Sequence, residues 1–95
     1  MKTTFSKALR GGYQAESMTE TDANGQAWQI TTMKRSNGLV SCSAIQGDDN
    51  GDMFSYEMFG AKRLELAKEK TNGTEAAIKR VHAAGILEFE RIQRH

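Results

Sequence analysis

The chain predicts an α+β fold, an antiparallel meander of four to five strands packed on one C-terminal α-helix. Three observations lead there. Turn signals recur at short intervals, as DANG at 22–25, SNG at 36–38, GDDNG at 47–51 and TNG at 71–73. Asn-Gly is a strong hairpin signal because both residues tolerate positive φ. Between the first three signals lie short segments rich in Thr, Ile, Val, Trp, Phe and Tyr that alternate in polarity, as half-buried strands do. After Gly73 the apolar spacing changes from period two to the helical period. Proline is absent, so glycine and asparagine carry the turns.

Taken in order, residues 1–11 are expected to hold an N-terminal turn or short helix, with FSKAL at 5–9 forming it and Gly11-Gly12 marking a loop or bulge. The antiparallel sheet is expected over 12–69. GYQAESMTET (12–21) is a polar strand suited to a sheet edge. In QAWQITTMK (26–34), Trp28, Ile30 and Thr32 share one face. In LVSCSAIQ (39–46), Val40, Cys42 and Ala44 form a small apolar face, and in DMFSYEMFG (52–60) Phe54, Tyr56 and Met58 align. KRLELAKE (62–69) has helix-favouring composition, yet Leu64 and Leu66 alternate with Arg63 and Glu65, which selects a strand.

Thr74 is placed to cap a helix over 74–94. Ile78, Val81, Gly85, Phe89 and Ile92 then fall within one arc, which should pack on the apolar sheet face. Glycine inside a helix costs about 1 kcal/mol relative to alanine. Gly85 therefore predicts a close approach to a large sheet side chain, with Trp28, Phe54 or Tyr56 as the expected neighbour.

With 95 residues, one domain with one modest core is expected. Hydrophobic residues make up 38% and charged residues 26%, which fits a soluble folded chain. The formal net charge of +1 implies no bulk attraction to nucleic acid or acidic lipid and argues against a DNA mimic. Cys42 is the single cysteine, so no intramolecular disulfide forms and no oxidising compartment is needed. The N-terminus lacks the apolar run of a signal peptide, and no stretch approaches a membrane span. A cytoplasmic location is the expectation.

GDDNGD, residues 47–52, is the most chemically loaded stretch. Read as a calcium loop from Asp48, it places oxygens at Asp48, Asn50 and Asp52. It then fails, because Met53 stands where the bend needs glycine and Phe59 stands where a bidentate glutamate is required. A hairpin tip with solvated aspartates is the reading its flanks favour, and a weak surface cation site is the alternative.

No catalytic or metal-ligating constellation stands out, and no cofactor is implied. His82 lies near the edge of the buried arc, without HExxH or a second ligand at useful spacing, so a structural duty is expected. Cys42 faces the core as a small buried side chain. GxSxG, Walker and GxGxxG patterns are absent. Glu88 and Glu90 lie on a helix surface. A non-enzymatic role follows.

Binding residues are easier to nominate. Opposite the buried arc lie Ala76, Lys79, Arg80, Ala83, Leu87, Arg91 and Arg94. Leu87 is nearly antipodal to Ile78, so it should be exposed and ringed by cations, with arginine a favoured interface anchor. The plain alternative is a solvated helix face with one stray leucine. Lys34 and Arg35 at a hairpin tip form the next candidate. Lys62, Arg63, Lys68 and Lys70 crowd the segment before the helix and could join the others along a phosphate backbone. Glu65, Glu69, Glu75 and Glu90 are interspersed and dilute that field. Local contact with RNA or DNA inside a larger complex therefore fits better than autonomous binding. The sheet face away from the helix is expected to show Gln29, Thr31, Ser41, Ser43, Ser55 and Glu57, with Met33, Ile45 and Phe59.

The ITTMKRSNGLVSCSA hairpin and the TEAAIKRVHAAGILEFERI helix, about half the chain, give it a further likeness. A short, cysteine-poor, Asn-Gly-punctuated sheet closed by one helix resembles the anti-CRISPR inhibitor proteins of bacteriophages. The resemblance transfers no functional residues. What it implies is stoichiometric binding to a host Cas protein or CRISPR ribonucleoprotein that blocks target DNA binding or cleavage, with local contact to guide RNA or DNA. The alternatives are a small nucleic-acid-binding accessory protein using the same cations, and a homodimeric structural protein pairing through the edge strand 12–21.

Overall fold

The computed structural model describes residues 1–7, 12–20, 27–46 and 63–94. Five strands, β1 (Lys2–Lys7), β2 (Tyr13–Met18), β3 (Trp28–Lys34), β4 (Leu39–Gln46) and β5 (Arg63–Lys70), are followed by one helix, α1 (Glu75–Gln93). The strands form one antiparallel sheet in sequential order, β1-β2-β3-β4-β5. The helix packs across one face of this meander, so the fold is α+β.

Two strand assignments differ from expectation. Residues 2–7 form a strand, not a turn or short helix. Thr3 and Phe5 alternate with Thr4 and Ser6, and the strand pairs with β2 along its whole length. Phe5 stacks on Tyr13 with ring centroids 5.2 Å apart, and Thr3 Oγ1 lies 2.7 Å from Ser17 Oγ. These contacts outweigh any local turn preference. In consequence β2 is not an edge: it lies between β1 and β3, and β1 takes the edge. Pairing through an edge formed by 12–21 is thereby excluded for the folded monomer. The expected strand at 52–60 and the GDDNGD stretch lie outside the described residues.

RLELAKEK, 63–70, is a strand, as the alternation predicts, and β5 pairs with β4 with one irregularity between Cys42 and Ser43. The register places Ala67 opposite Cys42 and Glu65 opposite Ser43, so Leu66 is the extra residue and still enters the core. The β3–β4 turn uses less of the Asn-Gly chemistry than expected. Gly38 alone takes positive φ, at 82°, while Asn37 accepts a hydrogen bond from the Leu39 N–H through Oδ1.

The core is Ala15, Ile30, Val40, Cys42, Ala44 and Leu66 from the sheet against Ile78, Val81 and Phe89 from the helix. Ile30, Val40 and Ile78 are fully buried, each contributing about 1.5–3 kcal/mol relative to exposure. Trp28 meets Phe89 edge-on with centroids 5.8 Å apart. Thr74 caps the helix by accepting from the Ala77 N–H. The turn before it is held to β2, because the Tyr13 N–H donates to the Gly73 carbonyl at 3.0 Å.

Gly85 marks a close approach, but among the described residues the neighbour is Cys42 and not Trp28; Phe54 and Tyr56 lie outside the described residues. A Cβ at Gly85 would lie 2.2 Å from Cys42 Sγ and 2.8 Å from Cys42 Cβ. The helix thus approaches the sheet closely at Cys42, with Leu66 Cβ 3.6 Å from the same position. Among the described residues, no helix is long and apolar enough to cross a membrane.

Candidate partner-binding surface

The outward face of α1 carries the nominated residues where its periodicity puts them. Lys79, Arg80, Leu87, Arg91 and Arg94 are all exposed, and Leu87 is 67% exposed. Ala76, Ala83 and Ala84 are exposed beside them. Their electrostatics differ from a bare cationic strip. Lys79 Nζ is 3.0 Å from Glu75 Oε1, Arg91 holds both carboxylate oxygens of Glu88, and Arg94 approaches Glu90 at 3.9 Å. Arg80 grips Glu69 of β5 with Nε at 3.1 Å and Nη2 at 2.8 Å. Arg80 and Arg91 hold the carboxyls of Glu69 and Glu88 below the usual carboxylate range, mainly through these hydrogen bonds. Lys79 also sits over the Phe5 ring, 5.0 Å from its centroid. The face is therefore an exposed leucine among small side chains, ringed by paired charges of both signs.

Lys34 and Arg35 do not extend that strip. Lys34 is exposed beside Gly73. Arg35 folds onto the opposite sheet face, where Nε donates to Ser41 Oγ at 3.0 Å and Nη1 to Met33 Sδ at 3.3 Å. Arg63 likewise donates to Ser43 Oγ at 3.1 Å. Ser41 and Ser43, expected to be open to water, are in fact buried, at 5% and 1% exposure. Lys62 lies outside the described residues.

His82 is more deeply placed than its position at the arc edge suggests. Its Nε2 lies 2.8 Å from Ser17 Oγ and its Nδ1 lies 2.7 Å from Thr32 Oγ1. Ser17 continues to Thr3, and Thr32 to the Cys42 thiol. Either tautomer satisfies every partner, because hydroxyls both donate and accept. Burial pushes the imidazole pKa down and the thiol pKa up, the latter partly offset by Thr32. The Ser17–His82 spacing is that of a nucleophile and its base. Yet Ser17 is 1% exposed, and the group orienting the ring is a hydroxyl in place of a carboxylate. The arrangement is a buried polar clamp joining β1, β2, β3 and α1. A sequence signal for it existed: Ser17 and Thr32 are polar residues on the inward parity of their strands.

Among the described residues, no three His, Cys, Asp or Glu side chains converge as metal ligands. Comparison with known protein families, with curated proteins and with solved structures finds no match for this chain.

Proposed function

We propose that this protein is a non-enzymatic inhibitor of the phage type, which docks on a Cas protein of a CRISPR–Cas surveillance ribonucleoprotein in the bacterial cytoplasm and blocks target DNA binding or cleavage. The observation that carries a binding role is Leu87, 67% exposed at the centre of the outer helix face. An apolar anchor among small side chains, with arginines held in place by glutamates, is suited to a protein surface. The pairing of every helix cation with a carboxylate weakens that face as a binder of naked nucleic acid. The identity of the partner as a CRISPR–Cas complex rests on the family resemblance.

Plasmid interference in a bacterium with an active CRISPR system tests the reading. Expression of the protein should restore transformation by a targeted plasmid, and Leu87→Glu/Arg91→Glu should abolish the effect while preserving the fold. Full interference in the presence of well-expressed wild-type protein, across the CRISPR types assayed, contradicts it.

A further inference from the structure

The acids interspersed among the β5 cations suggest a diluted field, but the fold sorts the signs. Along a strand, side chains alternate between faces. Lys68 stands opposite Ser41 and Lys70 opposite Leu39, while Glu69 between them stands opposite Val40. Val40 belongs to the core beneath α1, so Glu69 points to the helix side, where Arg80 claims both its oxygens. Lys68 and Lys70 are left on the face away from the helix, and both are exposed. Arg35 arrives on the same face from the β3–β4 turn and lays its guanidinium against Ser41, the residue opposite Lys68.

Three cations thus converge on one corner of the sheet. Among the described residues, none of the three is in a salt bridge. Among the described residues, the acid nearest on that face by register is Glu65, opposite Ser43, and it makes no ion pair with Lys68. The adjoining row across the sheet is Ser6, Gln14, Met33 and Ser41, which is uncharged and rich in hydroxyl and amide donors. Lys68 and Lys70 are two strand residues apart, about 6.6 Å, comparable with the spacing of successive phosphates along a nucleic-acid strand. Lysine, arginine, Ser and Gln are the side chains that contact phosphate and sugar.

We infer that the corner formed by Arg35, Lys68 and Lys70 is a contact site for the phosphate backbone of a single-stranded nucleic acid. It is distinct from the outer helix face and independent of the partner proposed for that face.

Fluorescence anisotropy with a labelled oligouridine at low ionic strength tests this. Wild-type protein should bind, and Lys68→Glu/Lys70→Glu should weaken binding by about tenfold or more and lower the slope of log affinity against log salt by about 1.4, at about 0.7 per lost contact. Lys68→Gln/Lys70→Gln should show the same lowered slope without charge reversal, and Arg91→Glu/Arg94→Glu should bind as wild type. Excess polyglutamate should displace the RNA poorly. No wild-type binding, unchanged affinity in both β5 variants, equal loss in the helix variant, or ready displacement by polyglutamate would each overturn the inference, the last by assigning the corner to acidic peptide.

Discussion

At the residue scale, Gly85 and His82 carry the most specific demands. Replacing Gly85 by alanine should gain about 1 kcal/mol of helix propensity. The added Cβ would meet Cys42 Sγ at 2.2 Å and Cβ at 2.8 Å, and overpacking of this kind costs about 1–3 kcal/mol. The clash involves a short, fully buried side chain, so the net effect should be destabilising, and urea unfolding of Gly85→Ala measures it. His82 predicts a pH dependence. Burial lowers its folded pKa below the ordinary value, so the unfolded chain binds the proton more readily. Its contribution to stability is therefore complete above the unfolded pKa, about 6.5, and is lost as pH falls through that value towards the folded pKa. Ser17 and Thr32 can both accept from an imidazolium, so the penalty is that of burying the charge. The melting temperature should decline through this window, and His82→Gln should flatten that part of the profile. A wild-type decline that persists unchanged in His82→Gln would assign it to other groups. The depth of His82 was hidden in the sequence because the helical arc alone places it at a boundary. Only the rows that bring Ser17 and Thr32 under the ring make it interior.

At the element scale, the helix was the most legible part of the chain. Its cap, its buried stripe and its outward residues follow from one periodicity, which α1 keeps from Ile78 to Phe89. The β3–β4 hairpin and β5 were legible for the same reason, as alternation survives in each. The first strand was not, because its six residues carry only Phe5 as a large apolar side chain. Its stability comes from pairing with β2 and from Tyr13 and Ser17, contacts that local composition does not announce. Ion pairing was equally hidden: a list of charges does not say that Glu69 turns to Arg80 while its neighbours turn away. Two substitutions separate the faces of the helix. Leu87→Ala should change stability by no more than about 0.5 kcal/mol, as exposed positions do. Ile78→Ala, at a fully buried site, should cost about 2–5 kcal/mol. Thr74→Ala should cost about 1 kcal/mol through loss of the cap, readable as a lower urea midpoint with the helix otherwise intact.

At the scale of the whole molecule, the sheet and helix leave two surfaces of different chemistry. One is the outer helix face, apolar at Leu87 and balanced in charge. The other is the Arg35–Lys68–Lys70 corner, cationic and polar. Net charge conceals this division, because the +1 total sums the paired charges of the helix with Arg35, Lys68 and Lys70, which among the described residues are in no salt bridge. On the two proposals made for these surfaces, one face would seat on a protein and the other would touch a nucleic acid. The proposed function resides in binding through the helix face, and pull-down with tagged protein from a bacterial lysate expressing defined CRISPR–Cas components, with and without nuclease, tests it. A Cas complex should be captured, should survive nuclease and should be lost with Leu87→Glu/Arg91→Glu. Failure of the folded wild type to enrich any Cas component, or undiminished capture by the folded variant, would contradict it.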